Sequence, residues 1–138
     1  MTRPAPADRR DWGLVALLAA CGLLSGLVET LLVPLYAGSQ LLPISVVIAI
    51  VLNYLLCAGS ARTVGRPMGA VITLVLWVLP VLVLPEVQPA GGDVLILGGS
   101  STQQYVYYAL ILLGCGAGIV AMVRTIGPRA TPNGRTER

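Results

Sequence analysis

Six side chains in this 138-residue chain are acidic, nine are cationic and none is histidine, so the chemistry open to it is narrow. Without imidazole, Ser-His and Cys-His nucleophile pairs, imidazole general bases and His-ligated metal or haem sites are excluded within the chain. Cys21, Cys57 and Cys115 fall in three separate apolar stretches. They read as small buried residues, not as a disulfide frame or a redox pair. What remains is carboxylate chemistry. Glu29 lies inside a run apolar enough to cross a bilayer, three residues past the second glycine of Gly22-Leu-Leu-Ser-Gly26. On a helix of 3.6 residues per turn, Gly22, Gly26 and Glu29 share one face, so the side able to approach another backbone most closely also carries the acid. Such a carboxylate needs a partner inside protein. An intramembrane acid is by default a candidate proton, cation or partner site, and the alternative is a structural hydrogen bond.

The elements that must position this acid follow from where charge is missing. With 56% apolar and 11% charged residues and a mean hydropathy of +0.83, the composition is that of a membrane protein. No charged residue occurs from Trp12 to Val28, Thr30 to Ala61, Pro67 to Pro85 or Val94 to Val123. A crossing of roughly 30 Å needs about 20 helical residues, and the second gap is cut by Pro34 and the turn Ala37-Gly38-Ser39-Gln40. The expectation is an all-α membrane protein with four transmembrane helices in a compact bundle, over about 13–36, 41–59, 67–85 and 103–126. Residues 1–11 form a cytoplasmic arm, 12–126 the membrane domain and 127–138 a disordered cytoplasmic tail. Ser39 is the expected N-cap of helix 2, and Pro43 fits its first turn. A polar loop spans Ser60 to Arg66. Leu18-Ala19-Ala20-Cys21 matches a lipoprotein cleavage box, but the apolar stretch before it is too short and hydrophobicity continues to Leu35, so the segment reads as a retained anchor.

All nine cations are arginines, and they lie in the N-terminal arm, the 2–3 loop, the end of helix 4 and the C-terminal tail. Both termini are therefore expected in the cytoplasm. Helix 4 carries its own close-approach motif, Gly114-Cys115-Gly116-Ala117-Gly118. Gly22 and Gly26 fall at the same depth as Gly114 and Gly118, so helices 1 and 4 are expected to meet there, and substitution at Gly26 or Gly116 to disturb assembly. Continuing that face of helix 4 outward assigns Tyr107, Gln103 or Gln104 as the hydrogen-bond partner of Glu29. In helix 2, Ser45, Ala49, Asn53 and Cys57 recur every four residues as a packing stripe, with the Asn53 amide expected to bond across helices. Trp77 and Pro80 in helix 3 read as packing and a kink, with a ligand groove beside the kink as the other possibility. The outer loop between helices 3 and 4 is irregular or hairpin-like. Its run Asp93-Val94-Leu95-Ile96-Leu97, bracketed by glycine pairs, is the candidate partner surface.

Gly26-Leu-Val-Glu29, Val33-Pro34, Asn53, Trp77 with Pro80, and Gly92-Asp93-Val-Leu-Ile together resemble a family of short, uncharacterised four-span membrane proteins from actinobacteria. The resemblance implies the architecture and no activity. The function expected is that of an accessory or scaffolding subunit of a cell-envelope complex in the plasma membrane. Its partners would be the lipid bilayer and another membrane protein or a second copy of itself, with no nucleic acid, no cofactor and no enzymatic reaction. The alternative is a small proton-coupled transporter using Glu29. Gly26-Leu-Val-Glu29-Thr30 faintly resembles helix 1 of the small multidrug transporters, but the shallow acid, the one-sided arginines and the long 3–4 loop depart from them. An enzyme would have to rest on Glu29, Glu86 and Asp93 alone.

Overall fold

Apolar runs of this length form helices because a helix satisfies its own backbone where no water can. The computed structural model describes residues 9–37, 40–86 and 101–126. It contains four helices, α1 (Arg9–Leu31), α2 (Ile44–Val64), α3 (Pro67–Val83) and α4 (Ser101–Ile126). Each is long and apolar enough to cross a membrane, α3 together with the 3₁₀ turn Leu84–Glu86. The architecture is that of a multi-pass membrane protein built as a helical bundle.

Helix ends differ from expectation where local chemistry overrides hydropathy. α1 starts at Arg9, inside the expected arm, and stops at Leu31 instead of reaching residues 33–36. Pro34 disfavours helical geometry at Val33, and the Thr30 carbonyl takes the Val33 N–H in a tighter turn at 3.2 Å. The chain then makes two short antiparallel strands, β1 (Tyr36–Ala37) and β2 (Gln40–Leu41), a hairpin the sequence did not suggest at this end. The N-cap of α2 is Pro43 and not Ser39. α2 also runs five residues past Gly59, through most of the expected loop. Its polar residues are compatible with a helix: the Thr63 hydroxyl returns to the Gly59 carbonyl at 2.9 Å, and the Ser60 hydroxyl faces α3. The true breakers are Gly65, left-handed at φ 65°, and Pro67 at the first position of α3. α4 begins at Ser101, two residues early. Residues 1–8 of the expected arm, the expected partner surface Asp93–Leu97 and the expected tail 127–138 lie outside the described residues.

α1 packs on α3 and α2, α4 packs on α2 and α3, and α2 and α3 pack on each other, while α1 and α4 share no comparable face. The core is graded. Toward the end that carries the Tyr36–Leu41 hairpin it holds Val33, Val46, Trp77, Val81, Tyr107 and Leu110. Toward the arginine-bearing end it narrows to Cys57, Ala58, Ala61, Ala70 and Ala121. There α2 and α3 come close enough that a Cβ on Gly69 would lie 2.4 Å from the Ser60 carbonyl oxygen. Cys57 is buried as expected, but Cys21 is exposed and Cys115 half-buried. None of them is in a disulfide.

Candidate functional site

The glycine face of α1 does what the spacing implies, but against a different helix. A Cβ on Gly26 would sit 2.5 Å from the Trp77 carbonyl oxygen and 3.0 Å from Pro80 Cγ, and one on Gly22 3.1 Å from the Thr73 carbonyl oxygen. The expected meeting of α1 with α4 is therefore replaced by parallel packing of α1 on α3, glycine against backbone carbonyl. The second glycine pair meets two other elements. Gly114 abuts the Trp77 ring edge, 2.5 Å from its virtual Cβ to Cη2, and Asn53 Nδ2 at 3.1 Å. Gly118 faces Leu74 and the Cys57 sulfur. The two glycine pairs do not face each other: each accepts bulk from α2 or α3, because those two helices form the short diagonal of the bundle. Among the described residues Gly116 has no neighbouring atom within 4 Å of where its Cβ would stand, so it is no packing glycine there.

The α1–α3 register carries Glu29 level with Pro80, about 9 Å short of Glu86 at 1.5 Å per residue. Glu29 is fully buried, and both carboxylate oxygens have donors. Trp77 Nε1–H donates to Oε2 at 2.8 Å. The Ser25 hydroxyl, one turn earlier on α1, donates to Oε1. The expected partners Tyr107, Gln103 and Gln104 are thus replaced by Trp77 and Ser25. The reason is topological: those three residues belong to α4, which has no face on α1. Tyr107 is engaged elsewhere, its hydroxyl donating to the Val81 carbonyl at 3.0 Å. In an unbroken helix that carbonyl would receive the N–H of residue 85, which is proline, so Tyr107 repairs the acceptor that Pro85 leaves open. Gln103 and Gln104 sit half-buried in the first turn of α4.

Trp77 is fully buried and spans the bundle. Its carbonyl and Cδ1 edge lie on Gly26, its N–H on Glu29, and its far edge against Gly114. Asn53 flanks that far edge. The stripe Ser45, Ala49, Asn53, Cys57 is buried throughout. The Asn53 amide, expected to bond across helices, has no hydrogen-bond partner on either atom among the described residues, and neither does the Ser45 hydroxyl. Burying an unpaired amide costs roughly 1–3 kcal/mol on mutational scales. Closer to the arginine-bearing end, Ser60 and Thr73 join α2 to α3 at 2.7 Å, with Thr73 also donating to the Gly69 carbonyl at 3.0 Å.

Sequence reasoning missed Trp77 and Ser25 as the partners of Glu29. The signal was present: an indole N–H in mid-span is a donor with no acceptor of its own, and a serine four residues before a glutamate shares its helix face. Among the described residues no cluster of three or more His, Cys, Asp or Glu side chains is placed to hold a metal ion. The chemistry visible is a buried acid whose two oxygens are occupied by neutral donors.

Comparison with protein-family models, with curated proteins and with solved structures returned no match in any of the three.

Proposed function

We propose that the chain is an accessory or scaffolding subunit of a cell-envelope membrane complex, held in the plasma membrane with both termini cytoplasmic, and that it runs no reaction of its own. One observation carries this reading. The intramembrane acid is spent on packing, with Ser25 and Trp77 on its two oxygens and the closest helix–helix approach of α1 one turn away. An acid that must exchange protons or cations needs a route to water, and Glu29 is fully buried. The arginines at one end of the bundle support the orientation. The test is purification of the native protein in mild detergent with mass spectrometry of whatever accompanies it. A stoichiometric membrane-protein partner is expected. Recovery of the chain alone, or only as a homo-oligomer, would remove the accessory reading.

Proton-coupled transport has one observation on its side. The unpaired Asn53 amide lies at the Trp77 edge opposite Glu29, so a rotation of the indole would change the surroundings of both polar groups together. Glu29→Gln separates the readings. A scaffold retains its partner and its stability, because the amide oxygen still accepts from Trp77, whereas a transporter loses proton coupling while staying folded.

A further inference from the structure

The outer faces of the bundle are aliphatic, but one of them is a groove with charge at its end. Between α2 and α4 a groove of about 500 Å³ is walled by Val51, Tyr54 and Leu55 on one side and Leu112, Gly116 and Val120 on the other, with Arg124 at its inner end. Its size is within the range of roughly 300–1,000 Å³ typical of ligand pockets. The bare backbone of Gly116 forms part of the wall, since no described residue stands within 4 Å of where its Cβ would be.

The register of the two helices adds a second cation. Asn53 lies against Gly114 and Cys57 against Gly118, so α2 and α4 run parallel at a fixed offset. Carried one turn further, that offset puts Arg62 level with Val123 and Arg124. Arg62 falls on the same line of α2 as Val51 and Leu55, two turns beyond the latter. Both arginines are exposed, and neither is in an ion pair among the described residues. An apolar groove with Arg124 at its end and Arg62 at the same level of α2, neither ion-paired among the described residues, is complementary to an anionic amphiphile. We propose that the α2–α4 groove binds a phospholipid with an anionic headgroup, an acyl chain lying along Gly116 and the phosphate held by Arg62 and Arg124. A second copy of the chain is a poorer occupant. Two copies sharing one orientation and joined about a two-fold axis on this face would bring four arginines together. A second groove, lined by Trp12, Met68 and Val71, has one arginine, Arg66, among its described lining residues and is the weaker site.

Native mass spectrometry of the full chain, titrated with phosphatidylglycerol or phosphatidylcholine of identical acyl chains, tests this. One phosphatidylglycerol per chain is expected to bind more tightly than phosphatidylcholine, by about fivefold for each arginine. Arg62→Gln with Arg124→Gln should abolish that preference. Gly116→Leu occupies the groove without touching either arginine, and because its side chain enters open space the fold is kept, so it should weaken both lipids. Equal binding of the two lipids by the wild-type chain would overturn the proposal. So would an unchanged preference in the double variant, or a dimer that Gly116→Leu disrupts, which would make the groove an interface between copies.

Discussion

The indole nitrogen of Trp77 on α3 stands 2.8 Å from Oε2 of Glu29 on α1, across 48 residues of sequence, in a place where both groups are fully buried. Each satisfies what the other could not obtain from lipid. The indole is donor only and the carboxylate needs donors, so neither has another use for its polar end at that depth.

Removing the acceptor is expected to hurt more than removing the charge. Glu29→Gln should leave the stability within about 1 kcal/mol of wild type, since an amide oxygen accepts as well. Glu29→Leu should cost roughly 1–3 kcal/mol by stranding the indole N–H. Equilibrium unfolding by SDS in mixed micelles measures both, and Trp77 emission reports loss of the bond.

Trp77→Phe deletes the donor and part of the ring that fills the space between Gly26 and Gly114. A loss of about 3 kcal/mol is expected. A double-mutant cycle with Glu29→Leu should give a coupling on the order of 1 kcal/mol, near the upper part of the range for hydrogen bonds between membrane helices. Additive losses would show that the 2.8 Å contact contributes nothing specific.

The two glycine positions expected to behave alike should part company. Gly26→Leu must drive α1 from the backbone of α3, because the added carbon would lie 2.5 Å from a carbonyl oxygen that cannot move aside. Gly116→Leu should leave the unfolding transition nearly unchanged. Melting temperatures of the two variants in the same detergent are sufficient to check this.

Asn53→Leu trades a buried unpaired amide for an aliphatic group of similar volume. Stability should be equal or higher, by about 1 kcal/mol, in the same SDS titration. A marked loss would mean that the amide has a partner in the membrane. Ser45→Ala should behave the same way on a smaller scale, since its hydroxyl is equally buried and unpaired.

Tyr107→Phe removes the hydroxyl that serves the Val81 carbonyl and should cost about 1 kcal/mol. Pro85→Ala restores an N–H at the position that would normally serve that carbonyl. In that background the penalty for Tyr107→Phe should shrink.

Charge gaps and prolines were enough to read four spans, because membrane thickness sets helix length and Gly65 and Pro67 act through backbone geometry alone. They could not say which helices touch. Gly22 and Gly26 show that a backbone comes close, but a carbonyl on α3 and a glycine on α4 satisfy that demand equally well at the same depth. The choice shows only in the packing, where α2 and α3 touch each other and both outer helices, leaving α1 and α4 at opposite corners. The hairpin at Tyr36–Leu41 escaped notice because two residues per strand carry no alternation to read.

Packing α1 onto α3 also sets an order of events during synthesis. Trp77, whose indole will receive Glu29, follows it out of the ribosome and into the membrane 48 residues later. At roughly 5–20 residues per second this is an interval of about 2–10 s. For that time the Gly22–Gly26 face has no α3 to cover it, and Ser25, already on the same helix, is the one donor from within the finished site that the acid can reach. The serine thus chaperones the carboxylate until its tryptophan arrives.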